Sequence, residues 1–202
     1  MRKGEETRER ILAAAERLIQ DKGYSGTTLD DVLEATRLTK GAFFHHFKGK
    51  GDLARAVVER FTERDFALFD EWSARADRLS DDPLERMLIF LKLFEEFLDG
   101  LGEPFPGCVL ATYTHENRQF GPEMHAFVRE SFERWIDYFE AKLAPLLAAR
   151  SPVRPASARG LAELCVSILE GGFIMARAMN DATWTQRASA ELRTYLELLF
   201  RP

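Results

Sequence analysis

The chain has 202 residues, with 28 Lys and Arg against 33 Asp and Glu for a net charge of −5. At 46% hydrophobic and 30% charged residues it is neither disordered nor collagen-like, and a chain of this length buries roughly 70% of its unfolded surface, enough for one large core or two small ones. The acidic balance, taken alone, argues against a nucleic-acid binder, because such proteins usually carry a positive excess that meets phosphate.

Apolar residues recur at helical spacing in segment after segment, with no convincing period-two alternation, so the expected fold class is all-α with about nine helices. Ile11, Leu12, Ala15, Leu18 and Ile19 make the first stripe, and Gly23 suits a helix C-terminus, which ends the first helix near Lys22. Thr27 and Thr28 are both good N-caps for a short second helix, with Asp30 and Asp31 in its first turn and Leu29, Val32 and Leu33 on its buried face. Thr39 caps a third short helix after only Arg37 and Leu38, and Phe43, Phe44 and Phe47 carry it to about Phe47. Leu53, Val57, Phe61, Leu68 and Trp72 mark a long fourth helix; Leu84, Met87, Leu88, Leu91, Phe94 and Leu98 mark a fifth.

Glu103-Pro104-Phe105-Pro106-Gly107 then breaks the pattern, since two closely spaced prolines remove donors and restrict their neighbours. A short helix follows from Cys108 to about Gln119. Gly121-Pro122 opens a long one carrying Val128, Phe132, Trp135, Phe139, Leu143 and Leu146. Ser151 to Pro155 is a second break; Leu161, Leu164, Cys165, Ile168, Gly172 and Met175 form the next stripe, and Leu192, Tyr195, Leu196 and Leu199 the last.

No apolar run approaches the roughly 20 residues that span a bilayer. The charged N-terminus lacks an apolar signal region, so a cytoplasmic protein with no membrane partner is expected. Cys108 and Cys165 are too few for a disulfide scaffold and read as reduced thiols.

Two short helices joined by a tight turn, preceded by a covering helix, form the pattern of a helix-turn-helix, whose second helix enters the major groove. A small three-helix lobe without a ligand has the same pattern. Charge favours DNA: residues 1–55 hold 11 Lys and Arg against 9 Asp and Glu, a net of +2, while residues 56–202 hold 17 against 24, a net of −7. From 37 to 50 there are Arg37, Lys40, Lys48 and Lys50, with His45 and His46, and no acid.

These residues, TTLDDVLEATRLTKGAFFHHFKGKGDL within about 7–58, resemble the N-terminal DNA-binding domain of the TetR family of transcriptional regulators. The resemblance implies a helix-turn-helix DNA-binding domain over 1–55 and an effector-binding and dimerisation domain over 56–202. It also implies a repressor that binds a palindromic double-stranded operator as a homodimer, paired through the last two helices and released by a small-molecule effector. By position, Thr28 and Thr39 match phosphate-holding residues at helix N-termini. Lys40, Gly41 and Ala42 match the exposed first turn that meets base edges, Lys40 being able to donate to guanine O6 and N7. His45, Lys48 and Lys50 are assigned to phosphate, and Phe43 and Phe47 to the core; His46 is expected to pack against the lobe.

Three positions depart from the family pattern. Phe44 stands where a Tyr hydroxyl is usual, so one phosphate hydrogen bond is lost and affinity shifts toward Lys48 and Lys50. Arg37 stands where the turn usually has Gly, which predicts an altered or mildly strained turn. Asp30 and Asp31 occupy a place where some members put a base-contacting side chain, so specificity is expected to rest on the third helix.

With 16 Phe, 4 Tyr and 3 Trp, most of them ordinary core, some aromatics could line a pocket for an apolar or aromatic effector. The candidates are Phe69, Phe94, Cys108, His115, Trp135 and Phe173. Ala162, Gly171, Gly172 and Ala176 would allow close helix approach in a dimer, or equally in a monomer core. Cys108, at a helix start, is an alternative thiol-based redox or electrophile sensor. An enzyme has thin support: His115-Glu116 begins like a metalloprotease helix, but Gln119 stands where the second His must be. No catalytic residue, metal site or cofactor is assigned. A helical interaction module without DNA would leave the Lys40 to Lys50 cluster unexplained.

Overall fold

The computed structural model describes residues 3–101 and 107–201. Among these are nine α-helices and no strand: α1 Lys3–Gly26, α2 Leu29–Thr36, α3 Lys40–Phe44, α4 Lys50–Leu79, α5 Pro83–Asp99, α6 Val109–His115, α7 Pro122–Ala149, α8 Ala158–Met179 and α9 Trp184–Phe200, with a short 3-10 turn at Asn117–Gln119. The all-α reading therefore holds, with boundaries shifted by a few residues. The expected break at Glu103 to Pro106 lies outside the described residues.

The chain divides into two compact units, Met1–Asp65 with Cys108–Ser131, and Phe66–Gly107 with Phe132–Pro202. By contact, α6 and the start of α7 group with α1–α3.

In the first unit, Ile11, Leu12, Ala15 and Ile19 of α1 meet Val32, Phe43, Phe47, Leu53, Val57 and Phe61 in a core where each is at most 3% exposed. From α6, Val109, Leu110 and Tyr113 are as deeply buried, and the Tyr113 hydroxyl donates to the Ala54 carbonyl at 3.3 Å. Glu16, facing this core, is compensated by Arg60 and Arg64 of α4, the latter at 2.8 Å, as a buried carboxylate requires. Helical geometry in α1 is interrupted at Gly23, φ 80° and ψ 167°, where glycine tolerance was expected.

In the second unit, α5 buries Leu84, Met87, Phe90, Leu91 and Phe94, and α9 buries Leu192, Leu196 and Leu199. Glu95 of α5 is pinned by Ser189 at 3.1 Å and by Arg193 at 2.7 and 3.0 Å. Gly172 of α8 faces Thr185 so closely that a Cβ would lie 3.1 Å from its Cα. That glycine, together with buried Ala162 and Ala176, is used for packing inside one chain. Asn180 closes α8 in the left-handed conformation, φ 50°, a role asparagine fills nearly as well as glycine.

Candidate nucleic-acid interface

The two short helices owe their ends to side chains in the first unit. Thr28 caps α2: its hydroxyl accepts the Asp31 amide at 3.1 Å, while the Asp31 carboxylate accepts the Thr28 amide at 2.6 Å, a reciprocal capping box. Lys22 adds an ion pair to Asp31 at 2.7 Å. Hydrogen bonds from Lys22 and from Thr28 hold the Asp31 carboxyl far below the usual carboxylate range. Thr28, expected beside phosphate, thus has its amide and hydroxyl engaged with Asp31 within the first unit.

Arg37 ends α2 with φ 53° and ψ 38°. Its amide donates to Glu34 O at 3.2 Å and that of Leu38 to Leu33 O at 3.1 Å, the bond pair of a Schellman turn. The turn keeps the geometry a glycine would give it, with a side chain in the left-handed region. Thr39 then caps α3, accepting the Ala42 amide at 3.2 Å.

Phe43, fully buried, and Phe47, 2% exposed, anchor the third helix and the turn beyond it. With those two facing inward, Thr39, Lys40, Gly41, His45 and Lys48 are exposed and Ala42 is half-buried. The helix ends at Phe44 rather than Phe47, and Phe44 is 52% exposed beside Phe43, an apolar ring on the same outward face. His46 is half-buried, and burial, then His45 and Arg8, lowers its pKa.

Two placements bear on the assigned cations. Lys40 lies 3.6 Å from Asp30 in an exposed pair, a contact of about 0–1 kcal/mol that phosphate or a base could displace. Lys50 is half-buried with its ammonium 4.1 Å from the Tyr24 ring centroid. Burial lowers its pKa, against the opposing pull of Glu116 and Asp31.

One group of residues escaped sequence reasoning altogether. Glu116 accepts the Tyr24 amide at 2.9 Å and the Ser25 amide at 2.7 Å, and Tyr24 stacks on Phe120 at 4.5 Å and Tyr113 at 5.6 Å. The only local signal was glycine at position 23.

The candidate effector residues fall in both units. Phe69, Phe94, Trp135 and Phe173 lie in the second unit and Cys108 and His115 in the first. Phe69 joins Phe66, Trp72, Phe90, Tyr138 and Phe139 in an aromatic cluster, Trp135 and Phe94 are buried, and His115 is exposed. Cys108 is 4% exposed at the start of α6 and makes no side-chain capping bond. A cleft of about 180 Å³ in the second unit is lined by Ser73, Asp77, Arg86, Phe90, Lys142 and Pro145, among others, and by none of the six candidates. Pro145, inside α7, has no N–H to give the carbonyl of Ala141, and both residues line the cleft. Among the described residues no cluster of His, Cys, Asp or Glu could hold a metal.

Two capped helices, a left-handed turn and an outward first turn of the second helix define a helix-turn-helix DNA-binding protein. A family model described as "Bacterial regulatory proteins, tetR family" matches residues 11–57, and one described as "Transcriptional regulator LmrA/YxaF-like, C-terminal domain" matches residues 83–191. The chain belongs to the TetR family of transcriptional regulators.

Among its relatives, the HTH-type transcriptional regulator LmrA of Bacillus subtilis is 27% identical over 180 residues, 88% of this chain and 90% of that protein. The uncharacterized regulator YxaF of the same organism is 26% identical over 179 residues, 88% of each. A TetR transcriptional regulator from Chloroflexus aurantiacus superposes with a TM-score of 0.82 at 28% identity, covering 99% of this chain and 98% of that one.

Proposed function

We propose that the chain is a cytoplasmic repressor that binds a palindromic operator as a homodimer and leaves it when a small apolar or aromatic effector binds. The observation that carries this reading is the exposed first turn of α3, with Thr39, Lys40 and Gly41 outward over the buried Phe43. In this reading 1–55 is the DNA-binding domain and 56–202 binds effector and partner. Lys40, Gly41 and Ala42 meet base edges; Thr28, Thr39, His45, Lys48 and Lys50 approach phosphate; Phe44 contributes apolar contact in place of a hydroxyl.

Dimerisation follows from the size of one reading head, since two heads one or more DNA turns apart are needed for useful specificity. The exposed Ile174, Met179, Tyr195 and Leu198 of α8 and α9 supply an apolar surface for it. The aromatic cluster around Phe69 supports an apolar or aromatic effector, which acts through its differential affinity for two states of the protein. Selection of bound duplexes from a random pool tests the reading. Recovery of an inverted repeat with fixed half-site spacing is expected, and recovery of no common sequence would overturn it.

A further inference from the structure

We propose that Glu116 is a positioning residue for operator binding: its carboxylate, clasped on the Tyr24 and Ser25 amides at the break in α1, aims the start of α2 and Lys50. The inference rests on the operator-binding reading above.

The geometry is specific to these residues. Gly23 sits at φ 80°, and a Cβ built there would run into Glu116 Oε1. A side chain at 23 and a carboxylate at 116 therefore exclude one another. With glycine present, two successive amides point at one carboxylate, a concave anion seat made of backbone. Burial pushes the Glu116 carboxyl up, but the hydrogen bonds from Ser25 and Tyr24 and the charge of Lys50 outweigh it and leave the group below its usual value.

From this seat the chain has little slack before the reading head. The Thr27 amide donates to Tyr24 O at 3.2 Å and its hydroxyl to Gly23 O at 2.8 Å, and the next residue, Thr28, caps α2. The Tyr24 ring, packed on Tyr113 and Phe120, carries Lys50 on a face. One carboxylate from the end of α6 thus holds the lead-in to α2, and through Tyr24 it holds the first residue of α4.

The Ser25 amide is exposed and the Tyr24 amide part-buried, so loss of the carboxylate frees the lead-in to α2 at the surface. Discrimination between duplexes in a chain that stays folded separates a positioning role from a merely structural one.

The test uses the full chain as wild type, E116Q and G23A, with the inverted repeat recovered by wild-type selection and a scrambled duplex of equal length. E116Q removes the charge at equal size, and G23A blocks the seat from the opposite side. Helical content and melting are followed by circular dichroism, and exchange of the Tyr24 and Ser25 amides by deuterium uptake. In both variants we expect faster exchange at those amides, retained helicity, and a ratio of operator to scrambled affinity that falls roughly tenfold, in line with hydrogen bonds to a charged acceptor. An unchanged ratio with faster exchange overturns the proposal, as does unchanged exchange or collapse of the fold in both variants. If the wild type fails to discriminate the two duplexes, the operator-binding reading itself falls.

Discussion

Replacing Arg37 by glycine should stabilise the reading head while weakening its hold on DNA. Arg37 stands at φ 53°, ψ 38°, and its amide is committed to the Schellman turn that ends α2. A side chain in that region costs about 1–2 kcal/mol from contact between Cβ and the backbone. Glycine removes the contact but has more freedom to lose on folding, worth about 0.4–1 kcal/mol. The net gain is about 0.5–1 kcal/mol, because the Arg37 side chain is exposed and forms no ion pair among the described residues that the change would break. For a chain of this size that corresponds to a rise in Tm of about 1–4 °C.

The same exposed guanidinium lies at the turn between the two helices proposed to face DNA. If it meets one phosphate, its loss reduces the slope of log affinity against log salt by about 0.9. Thermal melting of the full chain and a salt titration of operator binding measure the two effects separately. R37A is the control: it keeps a Cβ in the strained region, so its Tm should not rise, yet its salt slope should fall as in R37G. A Tm for R37G equal to or below that of wild type would refute the strain argument, and equal salt slopes would refute the phosphate contact.

Other expectations follow from the same surface. Phe44, half exposed, should tolerate Ala within about 0.5 kcal/mol of stability, whereas F43A should cost about 3–5 kcal/mol because the ring is fully buried; chemical denaturation checks both. Lys40→Ala should lower discrimination between operator and random duplex, with helicity unchanged, and competition binding reads it. Asp31 is held below the usual carboxylate range by Lys22 and Thr28, so it stabilises the fold above about pH 4 and that contribution is lost as pH falls toward the depressed value. D31N should therefore flatten the acid limb of Tm against pH. For the proposed dimer through α8 and α9, L198E, at a position 66% exposed in the single chain, should shift the protein toward monomer, because burying that leucine would contribute about 1.5–3 kcal/mol and a charge there would oppose it; sedimentation velocity measures it.

What could be read from the sequence was local, and what could not was tertiary. Thr28, Thr39 and Gly23 announce helix ends because a cap or a left-handed residue acts on its own neighbours, and the family resemblance marks Phe43 and Phe47 as core where spacing alone does not separate them from the exposed Phe44. Arg37 was legible too, as a residue where the turn wanted glycine, and the turn keeps the left-handed geometry with the side chain in place. Glu116 was not, since it bonds Tyr24 across 92 positions and no local pattern marks a carboxylate that will seat on distant amides. For the same reason nothing local marks α6 as a helix that packs on α1, or separates Cys108 and His115 from the four candidates Phe69, Phe94, Trp135 and Phe173 of the second unit.

Charge shows most clearly what tertiary structure adds. By count the head exceeds neutrality by only +2 over residues 1–55, a weak footprint for a DNA binder. Yet Asp31 is consumed by Lys22 and the cap of α2, Glu16 by Arg60 and Arg64, and Asp52 by the Lys48 amide. Each of these acids is turned to a partner within the fold. Arg37 and Lys48 are exposed without an ion pair among the described residues, and Lys40 is held only by the loose contact to Asp30. Pairing leaves the sum of charges as it was, but it leaves the unpaired cations Arg37 and Lys48, with the loosely held Lys40, on one small face around α3. A small cationic face on an acidic chain releases few counterions, so each protomer alone should bind weakly and with a shallow salt dependence, and the proposed dimer should bind with a steeper one.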